Sequence, residues 1–273
     1  MLTCEICPHH CRLEVGSVGR CRARINDGEK IIALNYGKIT SIALDPIEKK
    51  PLYRFFPGSR ILSVGSFGCN LSCPFCQNHE ISMADATFPT RTLMPAQLVE
   101  LAVELVPRGN IGVAFTYNEP FIGYEFVRDT SELLKARGLK SVLVTNGTVS
   151  PAALKKILPL IDAMNIDLKG FSRKIYDGLG GDFLTVQRTI ELAAQNCHVE
   201  VTTLVVPTMN DSADEMEAEA QWLASVSKDI PLHISRFFPR YKVTDIAPTP
   251  VKKIYELVDV AKRHLNFVYP GNC

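Results

Sequence analysis

The sequence lacks the features of a membrane protein, a nucleic-acid binder or a repetitive chain. No apolar run approaches the ~18 residues of a spanning helix, and the start, MLTCEICPHHCR, has no apolar core of the kind that a signal peptide needs. The 273 residues carry a net charge of only +1, with no basic excess for nucleic acid or an anionic membrane. Tandem repeats, low-complexity segments and flexible linkers are absent. We therefore expect a cytoplasmic globular protein with neither membrane nor nucleic acid as a partner.

What the chain does contain is a regular alternation of strand-like and helix-like segments from residue 61 onward. Seven short apolar runs predict strands at residues 61–66, 111–117, 141–145, 163–168, 199–206, 231–237 and 267–269. A stretch with helical spacing or a helix N-cap separates each run from the next. This alternation predicts a parallel sheet with right-handed crossovers, in the form of a partial, TIM-barrel-like (β/α)6 barrel. We expect an α/β fold with a small cysteine-rich extension at residues 1–60 and the barrel at residues 61–273.

Seven of the nine cysteines fall in two tight groups. In a chain without export signals, such groups indicate ligands of a metal or of an iron–sulfur cluster rather than disulfides. The eighth, Cys197, lies on a predicted helix and is expected to be a small buried apolar residue.

The second group, Cys69, Cys73 and Cys76, has the spacing C-x3-C-x2-C directly after the first predicted barrel strand. Three thiolates can hold three irons of a [4Fe–4S] cluster and leave the fourth iron open to a small molecule. A loop at this end of a barrel strand faces the active site. The alternatives are a structural zinc site or three buried free thiols, although a zinc site normally has paired CxxC knuckles and a fourth ligand.

With the aromatic Phe75 just before its last cysteine, the triplet resembles the signature of the radical S-adenosylmethionine (SAM) superfamily. The resemblance implies that the open iron binds the amino and carboxylate groups of SAM. It also implies that one electron, from a donor such as flavodoxin or ferredoxin, cleaves the sulfonium to methionine and a 5′-deoxyadenosyl radical. That radical takes a hydrogen atom from a substrate, while the protein positions the reactants and excludes water.

Residues 61–270 resemble the pyruvate formate-lyase activating enzyme group in particular, through motifs at the ends of successive strands. Residues 117–120 (YNEP) stand where that group has Gly-Gly-Glu-Pro beside the cofactor's amino group, so both glycines are replaced. By this resemblance, Thr145 and Asn146 lie near the ribose of the cofactor and Val205 lies near its adenine. The other residues that the resemblance assigns to cofactor binding are Phe75, Asn118, Glu119, Asp167, Lys169 and His233.

The chemistry of an amino-acid zwitterion agrees with the Asp-Leu-Lys motif. The ammonium of SAM needs an acceptor and its carboxylate needs a cation, and Asp167 and Lys169 are two apart, so both project from one face of a strand. The alternative for this pair is a surface ion pair of little energetic value. For His233 the alternative is a core histidine with its hydrogen bonds satisfied.

A narrower resemblance covers nearly the whole chain. The chain resembles the radical SAM proteins of the AmmeMemoRadiSam system in these segments: C-x2-CPHHC at residues 4–11, G-x2-G-x-C at 16–21, DPIEKKPL at 45–52, QN after the triplet, H-x2-RF at 233–237 and YPGN at 269–272. The group is named for two companion protein families. Its own reaction is unsettled, so this resemblance implies the radical chemistry without naming a substrate.

The first group, Cys4, Cys7, Cys11 and Cys21, has the spacing C-x2-C-x3-C-x9-C. Four thiolates can close a structural zinc site or hold a second [4Fe–4S] cluster, and a neighbouring histidine could replace one of them. A metal would explain the order of a segment that contains little to pack. The competing interpretations are a redox-labile thiol cluster and a disulfide.

Two functional hypotheses follow. The first is a radical SAM oxidoreductase whose target, by resemblance to activating enzymes, is a glycine of a partner protein, with a small molecule or a peptide as the alternative substrate. The second is a non-enzymatic iron–sulfur electron-transfer protein, which has no need of a strand-end Asp-Leu-Lys. A small basic group remains to be interpreted: Lys49, Lys50, Arg54 and Arg60. We expect these side chains to form a solvated surface, and the alternative is a docking site for the substrate.

Overall fold

The computed structural model describes all 273 residues and is built around one eight-stranded sheet. Its strands are β1 (Ser41–Pro46), β2 (Arg60–Gly65), β3 (Asn110–Phe115), β4 (Lys140–Thr145), β5 (Ala163–Asp167), β6 (His198–Val205), β7 (Leu232–Arg236) and β8 (Val268–Gly271). Strands β2 to β8 run parallel in chain order, and β1 pairs antiparallel with β2 at the edge. The two edge strands, β1 and β8, do not pair, so the barrel is open. The predicted α/β partial barrel is confirmed.

Helices follow the strands and cover the outside of the sheet. They are α1 (Pro95–Glu104), α2 (Tyr124–Ala136), α3 (Pro151–Ile157), α4 (Arg173–Leu179), α5 (Phe183–Ala194), α6 (Ala213–Val226) and α7 (Val251–Ala261). Short helical turns lie at Ile47–Lys49, His79–Ser82, Val106–Arg108, Pro120–Gly123 and Leu158–Leu160. Ser150 and Ser212 cap α3 and α6 as their sequences predict, because each hydroxyl accepts a backbone N–H of the first turn. The apolar faces of the helices and the sheet form one core of 45 buried residues.

The segment after β1 closes the end of the barrel at which the parallel strands begin. Ile47, Leu52 and Phe55 pack inside the barrel against apolar side chains of β2 to β5. Asn165 of β5 donates its side-chain amide to the carbonyl of Pro51 at 2.9 Å. We call residues 47–55 the plug. The apolar positions of the DPIEKKPL run therefore fill the barrel.

The first 39 residues form small two-stranded units that pack on the outside of the barrel. Leu2–Thr3 pairs with Arg12–Leu13, Arg24–Asn26 pairs with Ile31–Ala33, and Lys38–Ile39 pairs with Arg91–Thr92. Strand β1, which lies in the predicted extension, is part of the barrel sheet. The division of the chain at residue 60 remains a prediction. No helix of the structure is both long and apolar enough to cross a bilayer.

Candidate active site

A cleft of about 850 Å³ opens at the ends of the parallel strands and runs down to the plug. Eleven of the twelve predicted site residues outside the N-terminal group line it: Cys69, Cys73, Phe75, Cys76, Asn118, Glu119, Thr145, Asn146, Asp167, Lys169 and His233. Ten of them come from the ends of four strands, β2 to β5, or from the loops that follow, and His233 lies within β7. They converge because the strands are parallel neighbours.

The remaining predicted residue, Val205, does not line the cleft, and its contact with the adenine stays a prediction. Its side chain is fully buried in the apolar core. Successive side chains of a strand point to opposite faces, so Thr202 and Leu204 of β6 face the cleft and Val205 faces the helices. The motif locates the correct strand end, but strand alternation decides which side chain reaches the cavity.

The three cysteines of the triplet lie in the cleft wall, Cys73 buried and the other two partly buried. The Nδ2 of Asn146 lies 3.5 Å from the Sγ of Cys69, and the backbone N–H of Leu71 donates to the same sulfur at 3.4 Å. Burial raises the pKa of Cys73 to about 11, so its thiolate needs compensating positive charge.

The donor set fits an iron–sulfur cluster. Cys69, Cys73 and Cys76 supply three thiolates in the wall of one open cleft. Each thiolate can bind a different iron of a [4Fe–4S] cluster, and the fourth iron then stays open to the cavity. A structural zinc site needs a fourth protein ligand in addition to these three.

Asp167 and Lys169 form an ion pair that faces the cleft, with 2.9 Å between Oδ2 and Nζ. Burial by itself would lower the pKa of Lys169, but the charges of Asp167 and Cys73 raise it above its ordinary value. Lys169 is therefore a fixed cation beside the cysteines. Its side chain is only 16% exposed, so the alternative of a freely solvated surface pair does not describe it.

Glu119 lies between the ends of β3 and β4, buried to 2% exposure. Its two carboxylate oxygens accept the Thr145 hydroxyl at 2.7 Å and the backbone N–H groups of Asn146 and Phe121 at 2.9 and 3.0 Å. Burial raises the pKa of Glu119 to about 7, although these three donors oppose the shift. The carboxylate thus fixes the Thr-Asn segment to the end of β3.

The two residues that replace glycines of the resembled motif have distinct roles. Tyr117 has a φ of +73°, a left-handed conformation that favours glycine, and its phenol donates to Asp45 at 2.8 Å. The side-chain amide of Asn118 accepts the Ser66 N–H at 2.9 Å and donates to the carbonyl of Gly68 at 3.2 Å. The backbone turn is kept, and the added side chains hold the cysteine loop and reach the plug.

Sequence reasoning missed two buried polar groups near the plug. Glu200 of β6 accepts hydrogen bonds from His233 at 2.6 Å, from His198 at 2.9 Å, and from the backbone N–H groups of Tyr53 and Arg54. Burial by itself would raise the pKa of Glu200, but these donors bring it down to about 2. The sequence feature that could have indicated Glu200 is its position as the single acid within the strand-like, β-branched run HVEVTTLV.

Asp45 is the second missed group. It accepts Lys50 Nζ at 2.9 Å as well as the Tyr117 phenol, and all three side chains line the cleft. Lys50 is only 3% exposed, so its expected place on a solvated face is wrong. Its ammonium turns inward because the buried carboxylate of Asp45 compensates it.

Comparison with known proteins identifies the chemistry. Residues 63–223 match the sequence profile of the Radical SAM superfamily. The chain belongs to this superfamily. An uncharacterized protein of Methanocaldococcus jannaschii is 39% identical over 277 residues, covering 98% of this chain and 80% of that protein. The pyruvate formate-lyase 1-activating enzyme of Escherichia coli is 28% identical over 170 residues, covering 58% of this chain and 65% of that enzyme.

Solved structures show the same fold at low sequence identity. Streptococcus suis SuiB aligns with a TM-score of 0.58 and 13% identity, over 77% of this chain and 48% of that structure. A domain of a pyruvate-formate lyase-activating enzyme from Bacteroides vulgatus aligns with a TM-score of 0.52 and 13% identity, over 59% of this chain and 99% of that domain. The chain thus spans about half of SuiB. Superfamily membership implies an enzyme that uses a [4Fe–4S] cluster and SAM.

Proposed function

We propose that this radical SAM protein is an oxidoreductase that cleaves SAM reductively and abstracts hydrogen from a substrate in the same cleft. The observation that carries the proposal is the convergence of three cysteines with the Asp167–Lys169 ion pair in one cavity. When both are bound, one electron delivered through the cluster cleaves SAM to methionine and a 5′-deoxyadenosyl radical. That electron would come from reduced flavodoxin or ferredoxin in the cytoplasm.

The chain's own residues bind and orient the cofactor in this proposal. Cys69, Cys73 and Cys76 hold the cluster, Lys169 pairs with the carboxylate of SAM, and Asp167 accepts from its ammonium. Thr145 and Asn146 lie at the position proposed for the ribose, and Asn146 also contacts a cluster cysteine. Glu119 acts as a positioning residue, because its oxygens are already occupied by three donors of the chain.

For the substrate, we propose first a backbone glycine of a partner protein. The support is the relation to the activating enzyme and the strand-end motifs shared with that group. The test uses protein from the source cells grown on α-deuterated glycine. The reduced enzyme and SAM are incubated anaerobically with the macromolecular fraction, and the 5′-deoxyadenosine formed is analysed for deuterium by mass spectrometry.

Deuterium in 5′-deoxyadenosine, absent with a Cys73→Ala variant, would support abstraction from a protein glycine. Product formation that depends only on the small-molecule fraction and carries no label from glycine would contradict it.

A second candidate substrate is a polar small molecule or a peptide, and one observation favours it. The cleft is also lined by Asp45, Lys50 and the Tyr117 phenol, which contact one another, and by Lys49 and Glu48. This side of the cavity offers both an acceptor and donors, which suits a substrate with charged groups. These residues, except Tyr117, lie outside the part of the chain that matches the superfamily profile.

A further inference from the structure

The four cysteines of the N-terminal extension surround a space that the chain itself does not fill. Cys4, Cys7, Cys11 and Cys21 line a single enclosed cavity on the outer side of the barrel. Three of them are buried, at 6%, 8% and 7% exposure for Cys4, Cys7 and Cys21. None forms a disulfide. In residues 1–22, four thiols thus face one cavity, at positions where a small domain normally has apolar side chains.

The wall of this cavity contains an unsatisfied buried donor. Arg24 is 4% exposed, and its guanidinium pairs with Glu125 at 2.7 Å and donates to the carbonyl of Ile122 at 3.0 Å. Its Nε–H has no acceptor in the protein. A buried N–H of this kind costs free energy unless a partner is present. A thiolate or an inorganic sulfide in the cavity would supply that partner.

Four cysteines can form either of two metal centres. A tetrahedral zinc site binds all four sulfurs to one ion. A [4Fe–4S] cluster adds inorganic sulfides, which are acceptors for the buried Nε–H of Arg24 that a zinc ion does not supply. With four cysteines, every iron of such a cluster is protein-bound. In the triplet, by contrast, one iron has no cysteine.

The cavity also lies directly behind the triplet. The carbonyl of Asn70, next to Cys69, is 2.9 Å from Nε2 of His9, which lies between Cys7 and Cys11. The Oδ1 of Asn70 is 2.9 Å from the Nδ2 of Asn146, which contacts Cys69.

The backbones are equally close. A Cβ on Gly68 would lie 2.5 Å from the carbonyl of Cys21, so only glycine permits this contact between the two cysteine-bearing segments. The contacts hold the N-terminal group against the back of the triplet loop.

We propose that Cys4, Cys7, Cys11 and Cys21 bind a second, fully cysteine-ligated iron–sulfur cluster next to the SAM-cleaving one. This cluster has no open iron and therefore does not coordinate SAM. It fastens residues 1–22, which have little apolar core of their own, to the loop that carries the triplet.

Metal analysis of the full chain tests the proposal. Three variants are reconstituted anaerobically beside the wild type: Cys69→Ala/Cys73→Ala/Cys76→Ala, Cys4→Ser/Cys7→Ser/Cys11→Ser/Cys21→Ser, and the control Cys197→Ser/Cys273→Ser. Iron, acid-labile sulfide and zinc are measured per chain. We expect about eight iron and eight sulfide in the wild type and the control, and about four of each in both cluster variants.

A triplet variant without iron and sulfide would overturn the proposal, as would zinc bound at the four cysteines or disulfides among them. Mössbauer spectra of the wild type give an independent result that does not depend on a variant folding. Iron for two clusters per chain supports the proposal, and iron for one cluster contradicts it. The metal content of the N-terminal cysteines and the cleavage of SAM at the triplet are measured separately. A protein without the N-terminal cluster that still cleaves SAM would therefore contradict this inference and not the proposed function.

Discussion

At the scale of single residues, the cleft is defined by polar side chains that the chain's own contacts hold in position. Lys169 is held beside Asp167 and the cysteines, and the occupied carboxylate of Glu119 holds the ends of β3 and β4 together. Preorganised groups of this kind lower the cost of orienting a bound cofactor. The site therefore depends on Lys169 for direct binding and on Glu119 for shape.

Lys169→Ala should weaken SAM binding by about 10- to 100-fold, because one charge-assisted interaction of about 1.5–3 kcal/mol is removed. The cluster should remain, since Lys169 is not one of its ligands. Binding can be measured anaerobically by equilibrium dialysis on reconstituted protein, with iron and sulfide content as the check on the cluster. The exposed Lys174→Ala serves as control, and equal affinity in the two variants would refute the carboxylate role.

The sequence predicted the cleft residues best where a motif ends a parallel strand. Cys69, Asp167 and Lys169 could be located because strand order alone brings strand ends to one edge. Glu200 and Asp45 could not, because each has a partner in the plug as well as on the strands or their loops. The position of the plug inside the barrel is a tertiary feature with no local pattern. The Val205 side chain faces away from the cleft, because a motif at a strand end does not fix which face of the strand a residue occupies.

At the scale of elements, the plug is the structure that turns an open sheet into a closed-bottomed cleft. Its backbone N–H groups at Tyr53 and Arg54 are accepted by Glu200, at 3.0 and 2.7 Å, and the Tyr53 ring packs edge-on against His233. One buried carboxylate thus joins the plug to β6 and β7. Removing it leaves four donors without their acceptor.

Glu200→Ala should lower the free energy of unfolding by about 3–5 kcal/mol, as expected when one partner of a buried charged network is deleted. Urea denaturation of the reconstituted protein, followed by circular dichroism, measures this. The matched control is Glu191→Ala on α5, whose ion pair with Arg188 is largely exposed and should cost less than about 1 kcal/mol. Similar losses in both variants would show that the plug is not held by Glu200.

Helix α6 carries a buried acid that makes stability depend on pH. Burial raises the pKa of Glu219 to about 8, partly opposed by the hydroxyl of Thr203. The folded protein then binds this proton more tightly than the unfolded chain does. The stabilising contribution is complete below the ordinary pKa of 4.5 and is lost as the pH rises through about 8.

Glu219→Gln should therefore be more stable than the wild type at pH 8, by about 4 kcal/mol from a pKa that rises from 4.5 to about 8, and close to it at pH 4.5. Urea midpoints measured across this pH range test the difference, with the exposed Glu132→Gln as control. A constant difference at all pH values would contradict the account of Glu219.

Most elements were predictable because the period of apolar residues changes between strands and helices. Helix α4 was missed since it is short and ends next to two glycines, 180 and 181, so its pattern covers less than two turns. Strand β1 falls within the predicted extension although it belongs to the barrel sheet. Its place there depends on antiparallel pairing with β2, which the sequence of β1 alone does not indicate. Local sequence patterns thus predict where helices and strands form better than they predict which elements pack or pair with one another.

At the scale of the whole molecule, the barrel gathers two cysteine groups that are far apart in sequence. The triplet opens to the cleft, and the N-terminal group lies enclosed behind it. Between them, Asn70 contacts both sides, and Asn146 links it to Cys69. The sequence predicted both groups from their spacing, but their adjacency follows from the packing of the extension on the barrel.

The most direct test of the central claim is whether the reduced protein converts SAM to 5′-deoxyadenosine. The reconstituted chain is reduced with dithionite, its cluster is verified by electron paramagnetic resonance, and the product is quantified by chromatography with mass detection. We predict 5′-deoxyadenosine from the wild type and none from Cys73→Ala. A wild-type protein with a verified reduced cluster that forms no 5′-deoxyadenosine would contradict the assignment of this cleft as a SAM-cleaving site.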